Sequence, residues 1–308
     1  MPSLKPVCEP IALDLILEEL NDAYIYKRQA RHTSSRTIYV TDIHQSPNVV
    51  REVGRLREIS FRALGGGTGE ELDLDEYDTC EAPYQQMIVW DNEDNAIVGG
   101  YRFLESSKIK HSEVHGWESP MAHLFEYKPA FVEKYMPYGL ELGRSFIQPF
   151  YQSGASRKGM YSLANLWDGL GAILSRSTWV RYFFGKVTMY PSFNQKARDL
   201  ILFFIGKHFK DTESLMAPHN PLILTTPREE LEQIFNGETY REDYKILSKL
   251  IKSYGEHIPP LVNSYMNLSG SMKTFGTAVN ESFGMVEETG ILITIADIYE
   301  DKRQLVGW

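Results

Sequence analysis

Two cysteines, Cys8 and Cys80, are all that 308 residues contain. Two thiols make neither a bridge framework nor a ligand cluster, and such sparing use suits a reducing compartment. The eight histidines never fall at a zinc-ligand spacing with partners, so no metal site is expected. No apolar run approaches the roughly 20 residues needed to cross a bilayer. A signal peptide is also missing, because Ile11–Leu20 is broken by Asp14, Glu18 and Glu19. That segment reads as an amphipathic helix packed on its own domain, with membrane contact as the alternative. Hydrolase chemistry lacks its Gly-x-Ser-x-Gly elbow. The glycine run Gly65–Gly69 (interrupted by Thr68) is followed by no Lys-Ser or Lys-Thr and comes after a helix, so it is not a phosphate loop. Asp73–Asp78 lacks the glycine and terminal glutamate of a calcium loop. No histidine has an aspartate five residues on, so the His-x4-Asp pattern of glycerolipid O-acyltransferases is absent too.

The net charge is −9, which argues against nucleic acid as a partner. Its distribution is uneven. Residues 141–210 hold ten Lys or Arg against three acids, a local +7 that leaves −16 elsewhere. Such a stretch suits an acidic macromolecule or a phosphate, or is a scatter of surface lysines.

Hydrophobic periodicity places a strand at Ile38–Thr41 and a helix at Val49–Leu64, ended by the glycine run. Gln86–Trp90 and Ile97–Leu104 flank a polar turn and form a hairpin. Leu140–Ile147 is the next strand. A helix over Lys158–Ser175 carries Leu163, Leu166, Trp167, Leu170, Ile173 and Leu174 on one face. Those side chains read as core, with an acyl tunnel as the alternative. A strand at Trp179–Tyr190 and helices at Asn194–Phe209, Arg228–Phe235 and Arg241–Tyr254 follow, and Asn267–Thr277 and Ile291–Ile298 are strand-like. The order implies an α/β fold, a mixed sheet with helices on both faces. Residues 1–35 read as a helical extension and 36–308 as a single domain.

Charged residues recur on or beside these strands: Arg57 near Phe61, then Asp75, Asp78, Arg102, Glu141 and Arg144. Buried charge must be paired or functional. The ordered set Arg57-x3-Phe61, Asp73-x-Asp75-x2-Asp78, Gly100-Tyr101-Arg102-Phe103 and Glu141-Leu142-Gly143-Arg144 resembles the acyl-homoserine-lactone synthases. It resembles more closely the bacterial N-acyltransferases of ornithine-lipid and glycine-lipid synthesis, relatives that sometimes bear a haemolysin label. Ser145-Phe146-Ile147-Gln148-Pro149, Leu166-Trp167-Asp168-Gly169 and Ile258-Pro259-Pro260-Leu261 continue the likeness over residues 38–298. Asp73 and Gly143 depart from the Glu and Ser usual in the lactone synthases, which favours the lipid enzymes.

The resemblance implies an acetyltransferase (GNAT) fold and direct attack of an amine on an acyl thioester, with no bound cofactor. Glu141 is then the candidate base beside Arg144, or the two form a structural ion pair. Arg57, Phe61, Asp75, Asp78 and Arg102 are candidates for holding a zwitterionic acceptor such as glycine or ornithine, or a salt-bridge network that shapes the site. Gly143, Ser145, Phe146, Arg157 and Lys158 are candidates for the donor and its phosphopantetheine. The donor expected is acyl carrier protein, which is acidic and would meet the basic stretch, with CoA as the alternative. A downstream O-acyltransferase would share the pathway. The expected location is cytoplasmic, with at most peripheral contact at the inner membrane. The alternatives are an acetyl-CoA-dependent N-acetyltransferase, weakened because Gln152–Arg157 matches the pyrophosphate loop poorly, and a non-catalytic lipid-binding protein.

Overall fold

In the computed structural model, residues 4–30, 35–152 and 157–306 are described. Eight strands form one sheet. They are β1 (Ile25–Lys27), β2 (Arg36–Thr41), β3 (Gln85–Asp91), β4 (Ala96–Glu105), β5 (Gly139–Ile147), β6 (Tyr182–Met189), β7 (Lys273–Asn280) and β8 (Val286–Thr294). Their order across the sheet is β1-β2-β3-β4-β5-β6-β8-β7. Neighbours are antiparallel except β5 and β6, which run parallel. A parallel pair needs a crossover, and the apolar segment between these strands supplies one as a helix, Ser162–Arg176.

Six helices matter to the site: α1 (Leu13–Glu19), α2 (Pro47–Arg62), α3 (Ser162–Arg176), α4 (Gln195–His208), α5 (Tyr240–Ser253) and α6 (Pro260–Met266). Alternation along each strand sends residues to opposite faces. On one face Met87, Val89, Leu142, Phe183 and Ile291 meet Leu166 and Leu170 of α3, Leu200 and Phe204 of α4, Leu247 of α5 and Tyr265 of α6. Each fully buried aliphatic side chain there is worth about 1.5–3 kcal/mol. The other face is divided. Toward one end, Val49, Val53 and Leu56 of α2 and Ile16 of α1 cover Ile88, Trp90 and Phe146. Toward the other, Met121, Phe125 and Phe131 cover Phe184 and Leu292. Between these two apolar patches the strands carry polar side chains, Gln86, Arg102, Glu141 and Glu288, all buried. The site lies along that band.

The element order expected from periodicity is present, with shifts at the ends. The helix read from Lys158 begins at Ser162, after a 3-10 segment at Arg157–Tyr161. The strand read from Trp179 begins at Tyr182. Asn267–Thr277 contributes strand only from Lys273, because Pro260–Met266 forms a helix and residues 267–272 are its exit turn. The last long strand starts at Val286, earlier than the apolar run at Ile291, since its first turns carry Glu287 and Glu288. The first 35 residues supply β1 as well as a helix; three residues are too few for a period to show.

Gly185 sits where β6 meets β5. A Cβ there would lie 2.3 Å from the Leu142 carbonyl oxygen, a backbone atom that cannot swing away. Gly185→Ala is therefore expected to destabilise the fold by about 1–3 kcal/mol, read as a lower urea midpoint. An unchanged midpoint would mean that the two strands adjust at that point without cost.

Candidate active site

β5 and β6 pair only from Gly139–Leu142 to Tyr182–Gly185. The other edge of β5 explains why they part. Its register with β4 slips between Gly100 and Arg102, which face Phe146 and Gly143, so Arg144 and Ser145 share one position opposite Tyr101. Arg144 takes the left-handed conformation, φ +49°, which among bulges is the conformation of the G1 type. The bulge bends β5 away, and past Leu142 no ladder continues toward β6. The resulting cleft is lined by Leu142, Phe183, Leu261, Tyr265, Ile291 and Ile293, with Gly143, Ser145 and Lys186 at its polar margin. The buried Tyr101 hydroxyl in this cleft lies near those of Ser145 and Tyr265, without a well-aligned hydrogen bond among the described residues.

Beside the cleft three arginines meet three aspartates. Arg57 of α2 donates through Nε to Asp73 at 3.0 Å and through Nη2 to Asp78 at 3.0 Å. Arg102 of β4 reaches Asp75 at 2.7 Å and Asp78 at 2.9 Å through Nη1. Arg144 pairs with Asp73 at 2.9 Å and lies 3.8 Å from Asp75. Gln86 donates to Asp78 at 2.9 Å. Asp75 and Asp78 also form a reciprocal capping box on the single helical turn Glu76–Thr79, so the loop after the glycine run is tied down at its own start. The charges balance, three against three. Burial alone would raise the Asp78 carboxyl, but Arg57 and Arg102 hold it well below the usual carboxylate range. Arg102 is shifted upward, its burial outweighed by Asp78 and Asp75. Phe61 packs edge-on against Phe283 at 5.2 Å, and the Arg144 guanidinium lies over the same ring at 4.0 Å.

Glu141 is separate from that network. It is buried on β5 and accepts from the Met121 backbone N–H at 3.0 Å and the Tyr127 hydroxyl at 3.4 Å. Ser119 lies 2.8 Å from the Tyr127 oxygen. Burial pushes the Glu141 carboxyl above its ordinary value, against the pull of those hydrogen bonds and of Lys186 and Arg102. Glu141 and Arg144 do not pair. Their side chains leave opposite ends of the bulge, one toward Met121 and the other toward Asp73. Further along the band Lys186 donates to Glu288 at 2.9 Å and to the Pro120 carbonyl at 2.7 Å.

Of the donor candidates, Gly143 and Ser145 line the cleft. Phe146 is buried in the patch under α2. Lys158 is held by Asp94 at 2.6 Å and Glu93 at 3.3 Å across the β3–β4 turn. The side chain of Arg157 lies outside the described residues. Half of the ten basic residues of the stretch 141–210 are already paired. Arg144, Lys158, Lys186, Arg198 and Lys207 are in ion pairs, while Arg176 and Arg181 lie over the rings of Tyr26 and Tyr138. Lys186, Glu288, Tyr265 and Tyr84 escape a reading of the sequence, while Tyr101 stands inside the motif Gly100–Phe103; a lone lysine within the apolar run Tyr182–Met189 is the signal that marks Lys186. Among the described residues no group of His, Cys, Asp and Glu could hold a metal ion.

Asp78→Asn leaves Arg57 and Arg102 short of a counter-charge and is expected to cost about 3–5 kcal/mol at pH 7. The carboxyl is depressed in the folded state, so its contribution is present above the unfolded value and lost as pH falls through the lower folded one. Urea titrations of both proteins between pH 7 and acid should converge; a gap that persists in acid would assign the loss to packing instead.

A family described as acetyltransferase (GNAT) domain matches residues 56–162. The chain is 50% identical over 303 residues to the glycine N(alpha)-acyltransferase of Bacteroides thetaiotaomicron, covering 97% of this chain and 89% of that protein. It is 47% identical over 306 residues to the glycine N(alpha)-acyltransferase of Phocaeicola vulgatus, covering 97% and 92%. Among solved structures it is similar to the acyl-homoserine-lactone synthase LasI, with 11% identity over 88% of this chain and 94% of that one, TM-score 0.41. It is also similar to FeeM, an N-acyl amino acid synthase from uncultured soil microbes, with 12% identity over 85% and 91%, TM-score 0.40.

Proposed function

Because this chain belongs to the family of those two relatives, and is an N-acyltransferase of the acetyltransferase (GNAT) fold, we propose that it moves a long fatty acyl group from a carrier thioester to the amine of glycine. The observation that carries this reading is the parting of β5 and β6, which opens an apolar cleft on one face and leaves Glu141 on the other. A thioester carbonyl at the junction would have its acyl chain among Leu142, Phe183, Ile291 and Ile293. Its acceptor would approach from the polar band.

The chemistry needs a free amine, a proton acceptor and a place for oxyanion charge. Glycine is mostly ammonium at neutral pH. Glu141, with a carboxyl raised by burial, is a better base than an exposed glutamate and takes the proton directly or through water. The nitrogen attacks the carbonyl carbon and the C–N bond forms. Backbone N–H groups among residues 143–146, where β5 has parted from β6, stabilise the oxyanion. The C–S bond then breaks, and the carrier thiolate takes the proton that the nitrogen gives up as the amide forms. No protein nucleophile enters. Arg144 acts by holding the bulge, anchored on Asp73 and the Phe283 ring.

The donor in this reading is acyl carrier protein, presenting its phosphopantetheine arm to the cleft mouth at Gly143 and Ser145. The product, an N-acyl amino acid, is a substrate for an O-acyltransferase when the acyl chain carries a hydroxyl. No helix of the described residues is long and apolar enough to cross a membrane.

The test is an assay of purified protein with palmitoyl carrier protein, palmitoyl-CoA or acetyl-CoA as donor, and glycine or ornithine as acceptor, followed by mass spectrometry. N-palmitoyl glycine formed from the carrier protein is the expected result. Acetylation alone would overturn the reading, and palmitoyl-CoA as the sole donor would replace the carrier. Glu141→Gln should lower kcat/KM by about 10²-fold or more with the melting temperature kept. A base must be deprotonated, so wild-type activity should fall as pH drops through a midpoint above the ordinary glutamate value. Wild-type turnover in the glutamine variant would remove Glu141 from the role.

A further inference from the structure

Two polar atoms beside Glu141 are buried with nothing in the described residues to satisfy them. One is the hydroxyl of Tyr84, the residue just before β3, whose side chain is 2% exposed. The other is Nε of Arg102, 1% exposed. Leaving such donors unmatched costs about 1–3 kcal/mol each, and groups of this kind call for an explanation. The Arg102 guanidinium lies over the Tyr84 ring at 5.4 Å, so the two belong to one place. Its Nη1 is committed to Asp75 and Asp78, which leaves Nε directed elsewhere. Glu141, Tyr127, Arg102 and Tyr77 all act electrostatically on the Tyr84 hydroxyl, and burial keeps that phenol protonated.

A third feature points to the same spot. Gly143 faces Arg102 across the β4–β5 ladder. A Cβ built on Gly143 would meet only Arg102, with Nε at 3.5 Å and Cγ at 3.7 Å. The missing side chain therefore leaves space beside the unmatched nitrogen, at the margin of the cleft. Glu141 is two residues away on the same face of β5.

We propose that Tyr84 Oη and Arg102 Nε, over the space left by Gly143, form the pocket for the carboxylate of the acceptor amino acid. Two donors match the two oxygens of one carboxylate, and the Arg102 contact is charge-assisted. The α-amine, one carbon from the carboxylate, is then turned toward Glu141. Asp78 is engaged by Arg57 and Arg102, and Asp75 by Arg102 through Oδ1, so neither is assigned to the acceptor's ammonium. The pocket distinguishes an α-amino acid from a simple amine. The inference rests on the acceptor being an amino acid.

The experiment is steady-state kinetics of wild type, Tyr84→Phe and Gly143→Ala. The donor is held saturating, and glycine is compared with methylamine, which has no carboxylate. Wild-type enzyme should prefer glycine. Tyr84→Phe should raise the KM for glycine by about tenfold or more, with kcat little changed and methylamine kinetics unmoved. Gly143→Ala, which narrows the space without removing a donor, should raise the glycine KM as well. Equal losses for glycine and methylamine in Tyr84→Phe, or a fall in its kcat alone, would overturn the pocket. So would an unchanged glycine KM in a folded Tyr84→Phe enzyme. Failure of the wild type to acylate glycine or any other amino acid would instead strike the function on which the inference rests.

Discussion

A parallel pair of strands that separates after four residues is the constraint on which this molecule is organised. β5 is pressed from one side by its bulge against β4 and released from the other once Leu142 has paired with Gly185. Hydrogen-bonding groups that a continuous ladder would consume are freed in the middle of the sheet. In the proposed reaction the acyl chain lies in the cleft that this parting opens, and the acceptor approaches from the polar band. The bulge also re-aims side chains: Glu141 stays beneath the segment carrying Met121 and Tyr127, while Arg144 turns to Asp73.

The second requirement is that the band of charge across the sheet stay neutral. Three arginines and three aspartates bury each other's charge next to the cleft. Such a cluster adds little net stability compared with an apolar core of equal volume. Its geometry fixes the loop carrying Asp73, Asp75 and Asp78 to α2, β4 and β5 together. Rigidity of that kind suits a reaction in which two substrates must be brought to one carbon atom. Glu141 lies outside this compensation, with a raised carboxyl, and so retains the capacity to take a proton.

Most of the element order was legible because long apolar periods determine it. The hairpin around Asp91–Asn95, the helix of Leu166, Leu170 and Ile173, and the strand of Leu140–Ile147 all show their period plainly. Elements went unassigned or were begun late where the period is short or broken by charge, as at β1, at Pro260–Met266, and in the glutamates that open β8. The charged residues stood out by type and order, since arginines and aspartates beside apolar strands demand partners. Which arginine met which aspartate was not legible, because Arg57 and Asp73 are brought together by the packing of α2 rather than by spacing.

What the sequence alone determined is therefore the class of molecule: a sheet with helices on both faces, no thiol, metal or hydroxyl nucleophile motif, and a resemblance carried by an ordered set of charged residues. These depend on composition and local period, which neighbouring residues fix among themselves. Only the tertiary structure decided that Glu141 and Arg144 do not pair with each other, and that half of the basic stretch is spent on ion pairs. It alone shows the Tyr84 hydroxyl and Arg102 Nε buried without hydrogen-bond partners among the described residues. Those outcomes turn on a one-residue slip in register, and register is set by contacts between strands far apart in the chain.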